Sequence, residues 1–183
     1  MLINKKPLHP NFGVIIEDID LNQVSHNFLY KEIRELFENY SVILFKNQKI
    51  SDDTHINFAK LFGQLENREA MATNSDVEFE LSLVTNQKED KSVYDEYDIK
   101  TLDLKANMLW HTDSTFLPIP ALANIITAKI IPSSGGQTEL ASTRVALKKL
   151  PKDLYYNIKD KKIWHNLSHS RKQINNQLAK ESY

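Results

Sequence analysis

Cysteine is missing from the chain altogether. Disulfide frameworks, thiolate nucleophiles and thiolate-held metals are excluded together, so any bound metal must take His, Asp, Glu or backbone oxygen. Glycine and proline are scarce, 4 and 6 among 183 residues, too few for a linker or a low-complexity chain. Neither sign of charge is in excess, with 23 Lys+Arg against 24 Asp+Glu and a formal net charge of -1. A phosphate backbone or an anionic bilayer is met by a basic surplus, so this balance points to neither as partner. Long apolar runs are lacking too. The longest, ALANIITAKII at residues 121–131, contains Lys129 and falls short of the ~20 residues of a membrane helix. Lys5, Lys6, Pro7 and His9 interrupt the start before an apolar signal core can form, and we expect a soluble, cytoplasmic protein.

What is present is the composition of a folding domain, 41% hydrophobic and 26% charged, in a chain of a length that supports one core. Gly13-Val14-Ile15-Ile16 is a short β-branched run that predicts a strand. Across residues 24–40, Phe28, Leu29, Ile33, Leu36, Phe37 and Tyr40 recur at helical spacing, and 41–45 then reads as a buried strand. Ser51 followed by Asp52 and Asp53 starts a second helix that Gly63 stops. Residues 81–85, 121–131 and 138–141 predict strands, the last two joined by a turn at Gly135 and Gly136. Residues 86–105 carry four Lys and six Asp or Glu and read as a mobile loop or lid. A helix broken or restarted at Pro151 is expected over 144–158, a further strand over 163–170, and no core-building pattern after Arg171.

The chemistry concentrates in Trp110-His111-Thr112-Asp113-Ser114-Thr115-Phe116. In an extended chain residues two apart point to one side, so an imidazole and a carboxylate are presented to a common point while Thr112 turns away. Two His and one carboxylate occupy one face of an octahedral Fe(II) and leave three positions open; His111 and Asp113 are two of those three. The spacing alone is a common accident of sequence. His9, His26 and His55 are read as surface or helix-start residues, and His165 and His169 as candidates for a third ligand.

The whole string WHTDSTF, with Asn107 before it and Pro118 and Pro120 after it, resembles the metal-binding motif of the taurine and dichlorophenoxyacetate dioxygenase family (TauD/TfdA). The likeness continues in order along the chain: PLHPNFGVIIEDIDL at Pro7 to Leu21, SVILFKNQ followed by FAKLFG, PSSGGQTELAS at Pro132 to Ser142, LKKLP, and HSRKQ at His169 to Gln173. The resemblance implies a mainly β fold, a double-stranded β-helix or jelly roll with flanking helices. It implies Fe(II) as cofactor, 2-oxoglutarate and O2 as co-substrates, and hydroxylation of a small, anionic organic molecule with release of succinate and CO2. His111 and Asp113 would be iron ligands, and Thr138 the hydroxyl that binds a carboxylate of 2-oxoglutarate. Asn107 would be the amide near co-substrate and substrate. For Thr138 the competing reading is a β-branched residue filling a strand, and for Asn107 a hydrogen bond at a strand edge.

The family's distal His, the Arg that pairs with the far carboxylate of 2-oxoglutarate, and several barrel strands lie beyond the segments matched. The expectation is therefore one domain over residues 1–183, truncated at its C-terminus, in which neither His165 nor His169 completes the triad. A separately encoded C-terminal half or a second copy of the chain would be its partner. A silent remnant or binding fragment, and a cupin-like domain that holds a metal or a small carboxylate without turnover, remain the alternatives.

Overall fold

The computed structural model describes residues 3–66 and 81–181. Two compact units divide the chain, one formed by Met1–Gln64 with Ile125–Lys162 and the other by Leu65–Asn124 with Ile163–Tyr183.

In the first unit a three-stranded sheet runs in the order β1 (Lys5–Pro7), β2 (Val14–Ile16), β3 (Ile43–Phe45). β1 pairs antiparallel with β2, and β2 pairs parallel with β3. The return from β1 needs Gly13 at φ 81°, where an added Cβ would meet Leu8 Cδ2 at 3.1 Å, so both backbone and space favour glycine. The parallel pair requires a crossover, and α1 (Tyr30–Tyr40) supplies it. Its apolar positions bury Ile33 and Leu36, and it ends where Ser41, at φ 66°, donates its N–H to the Phe37 carbonyl. The expected helix over 24–40 starts only at Tyr30, because Ser25 and Phe28 exchange backbone hydrogen bonds in a tight turn first.

Ser51 caps α2 (Asp52–Lys60), its hydroxyl accepting from the Thr54 N–H, as the sequence predicts. The core gathers Ile16, Ile19, Leu21, Leu29, Ile33, Leu36 and Phe58. Beside it Phe62 stands edge-on to Tyr30, Phe37 and Phe58 at centroid distances of 5.5, 5.7 and 5.5 Å, contacts that stabilise by about 1 kcal/mol each beyond their buried area. The helix expected over 144–158 is two, α4 (Thr143–Lys149) and α5 (Lys152–Ile158), with Pro151 between them.

In the second unit, residues 86–105, expected as a loop, hold a bridge and most of a helix. A bridge joins Gln87 to Val93, and Asp98 caps α3 (Ile99–Asn107). α3 packs against α6 (Leu167–Lys172) and α7 (Asn176–Glu181), which pack on each other. Residues 163–170 are thus corrected from strand to helix over their second half, because Asn166 caps the N–H of His169 and turns the chain into α6. The polar tail, expected to show no core-building pattern, buries Leu178 and Ala179 within the second unit, while residues 182 and 183 lie outside the described residues. No ladder partner among the described residues pairs with 81–85, 121–131 or 138–141. Their β-branched and leucine-rich patterns are those of strands, yet Leu83, Val84, Ile126, Ile130 and Ile131 stay exposed, since pattern alone does not supply the neighbouring strand.

Candidate functional site

α3 ends at Asn107, and the following backbone tightens through the Leu109 N–H donating to the Ala106 carbonyl at 3.2 Å. This sets the Leu109 carbonyl 2.6 Å from His111 Nδ1. The other ring nitrogen, Nε2, lies 3.1 Å from Asp113 Oδ1. The two side chains therefore meet, as their spacing predicts, although they do so at the entrance to a turn rather than on a paired strand. That turn begins at Asp113 and is held by the Leu117 N–H on the Ser114 carbonyl at 2.9 Å and by Thr115 Oγ1 on the Thr112 carbonyl at 3.2 Å. Ser114, buried and at φ 61°, donates its hydroxyl to Glu66. On the far side of Asp113, Asn124 Nδ2 donates to Oδ2 at 2.6 Å.

Both ring nitrogens of His111 thus face oxygen acceptors, while a neutral imidazole carries a single N–H. A ring donating from both nitrogens would satisfy the two oxygens directly, Nε2 pairing with Asp113 at hydrogen-bond distance, whereas a neutral ring with its proton on Nδ1 would leave Nε2 and the Asp113 carboxylate to share a cation. The separation fits a metal: two ligands on adjacent corners of an octahedron, each ~2.1 Å from the ion, stand ~3.0 Å apart. A neutral imidazole nitrogen and a carboxylate oxygen suit a divalent first-row metal. The side chains are 45% and 41% exposed, so the pair is open to solvent and to a ligand. Among the described residues no third His, Asp or Glu joins them.

The other predicted residues fall as follows. Asn107, at the end of α3, accepts at Oδ1 from Arg171 Nη2 at 3.0 Å, while Arg171 Nε pairs with Asp103 Oδ1 at 3.0 Å. Thr138 is exposed in the first unit, just after Gly135 and Gly136 at φ 75° and 70°. His165 is exposed before α6 and His169 lies within it. His55, expected at the surface, is buried with Nε2 3.1 Å from the Ile125 carbonyl and Nδ1 3.3 Å from Thr127 Oγ1. Two contributors escaped the sequence reading. Arg171 stood in the HSRKQ match without a role, and Asn124 carried no signal, being 11 residues from Asp113 in a stretch read as a strand.

A profile of the taurine catabolism dioxygenase TauD, TfdA family matches residues 4–182. The α-ketoglutarate-dependent 2,4-dichlorophenoxyacetate dioxygenase of Cupriavidus pinatubonensis is 33% identical over 93% of this chain and 61% of its own length. The (S)-phenoxypropionate/α-ketoglutarate-dioxygenase of Sphingobium herbicidovorans is 29% identical over 93% of this chain and 56% of its own. Among solved structures, AAD-2 in complex with Mn(II) and N-oxalylglycine superposes with a TM-score of 0.83 at 26% identity, covering 96% of this chain and 62% of that one. The chain spans about three-fifths of the length of these two relatives.

Proposed function

The chain belongs to the taurine catabolism dioxygenase TauD, TfdA family, and we propose that it serves an Fe(II)- and 2-oxoglutarate-dependent dioxygenase that hydroxylates a small organic anion. One atom of O2 would enter succinate as 2-oxoglutarate loses CO2, and the other would enter the product as a hydroxyl. The observation that carries the reading is the approach of His111 Nε2 to Asp113 Oδ1, at a separation suited to two ligands of one ion. His111 and Asp113 would hold the metal, which when bound supplies the activation of dioxygen that side chains cannot. Thr138 would donate its hydroxyl to a carboxylate of 2-oxoglutarate. Asn107, whose Oδ1 is engaged by Arg171, would offer its N–H2 end to an anionic group. Small aryloxy acids are the substrate class favoured by the relatives' names. The double-stranded β-helix would use residues 121–131 and 138–141 as strands once neighbouring strands are present.

Anaerobic titration with Fe(II), with and without 2-oxoglutarate, tests the reading. A weak visible absorption should appear only when both are present and vanish in His111→Ala and Asp113→Ala. An absorption that survives both substitutions unchanged removes the pair from the site.

A second reading, a silent remnant or binding fragment of such an enzyme, is favoured by the presence of only two candidate ligands at the pair among the described residues. Two protein ligands leave a metal loosely held. Succinate formed under air with ascorbate separates the two. On the second reading the 183-residue chain stays at the no-protein level, and fusion to a relative's C-terminal segment restores turnover that His111→Ala abolishes. Succinate from the chain alone, lost in His111→Ala, refutes it.

A further inference from the structure

Asp113 has two oxygens, and they are differently employed. Oδ1 faces His111 Nε2 at 3.1 Å, whereas Oδ2 accepts from Asn124 Nδ2 at 2.6 Å. We propose that Asn124 is a positioning residue for the metal site, holding Asp113 so that it meets the ion through Oδ1 alone. The inference rests on the reading of His111 and Asp113 as ligands.

The argument is one of competing lone pairs. A free carboxylate beside a divalent ion can swing to share both oxygens, and each extra bond uses a position that a bidentate co-substrate and dioxygen require. An amide N–H donating to a charged oxygen at this distance is a charge-assisted bond, and breaking it to free Oδ2 opposes the swing. It also fixes the carboxylate plane, while the Leu109 carbonyl at 2.6 Å from Nδ1 fixes the imidazole plane. The two candidate ligands are thus each oriented by one partner behind them, an arrangement whose loss commonly weakens metal binding by 10–100-fold. Asn124 is itself exposed, so it is not a core prop and its replacement leaves packing intact.

Cobalt(II) titration of the full 183-residue chain, followed by visible absorption, reads both affinity and coordination. Asn124→Leu, close in volume and without a donor, should bind cobalt about tenfold more weakly and with an altered spectrum. Its metal-free thermal midpoint should stay at that of the unsubstituted chain. In an Asp113→Ala background the same substitution should cost nothing further, because its partner is gone. Binding within about twofold of the unsubstituted chain, an unchanged cobalt spectrum, or an equal loss in the Asp113→Ala background overturns the role of Asn124. Failure of the ligand pair reads differently: His111→Ala and Asp113→Ala would then bind cobalt as well as the unsubstituted chain does.

Discussion

Ser114 follows the candidate ligand Asp113 in the left-handed region, at φ 61°, and is 2% exposed. A side chain there costs about 1–2 kcal/mol of backbone strain relative to glycine. Its hydroxyl offsets part of this by donating to Glu66. Ser114→Gly and Ser114→Ala both lose that bond, a loss of about 1–3 kcal/mol, but only glycine relieves the strain. Urea unfolding should therefore rank Ser114→Gly as the mildest, Ser114→Ala next and Ser114→Val, with its branched Cβ, as the worst. Glycine no better than alanine would mean that the turn is unstrained. What the sequence disclosed at this scale was what neighbours along the chain decide. His111 and Asp113 are two apart, and bonds made within a few residues of them, to the Leu109 and Thr112 carbonyls, shape the segment in which they meet. Asn124 and the buried His55 were invisible because their partners, Asp113 in one case and Ile125 and Thr127 in the other, are brought to them by tertiary structure.

Among the elements, α2 joins residues 125–129 through charge as well as through His55. Lys129 donates to Asp52, and its hydrogen bond and positive charge hold the Asp52 carboxyl below the usual aspartate range. A lowered value in the folded state means stability that is present above the ordinary aspartate value, about 3.9, and lost as the pH falls through the lowered one. Lys129→Met should lower the thermal midpoint slightly at pH 7, with the gap closing below about pH 4 and shrinking in ~1 M salt. A gap that persists in acid would assign the loss to the lysine stem instead. Ser51→Ala, which removes the acceptor for the Thr54 N–H, should cost about 1 kcal/mol in denaturant unfolding. α1 by its apolar periodicity, α2 by its Ser51 cap and the α4–α5 pair by the break at Pro151 were legible in the sequence. Residues 121–131 were not, because a strand is completed by a neighbour that its own pattern cannot name, and α6 was missed because the Asn166 cap is a single residue in a polar stretch.

At the scale of the whole molecule, large apolar side chains stand exposed among the described residues of each unit: Ile126, Ile130 and Ile131 are 74, 76 and 79% exposed in the first, and Ile119 and Trp164 85 and 91% in the second. Within the chain as it stands, Ile126→Thr and Ile130→Thr should change unfolding free energy by less than about 0.5 kcal/mol each and should reduce binding of an apolar fluorescent dye. A loss of about 1 kcal/mol or more from either substitution would mean that these side chains are packed rather than exposed. No helix among the described residues is long and apolar enough to cross a membrane.

The core of the first unit has a bearing on how the chain is made. Every buried residue of its main cluster lies between Ile16 and Phe58, and β2, α1 and β3 follow one another within the same stretch. Contacts this local close small loops, and helices and hairpins of this size form in about microseconds. Synthesis of the remaining chain takes on the order of 10 s. The sheet and its crossover helix can therefore be in place on the ribosome before His111 has been translated, so that the stretch carrying His111 and Asp113 is made after that fold already exists.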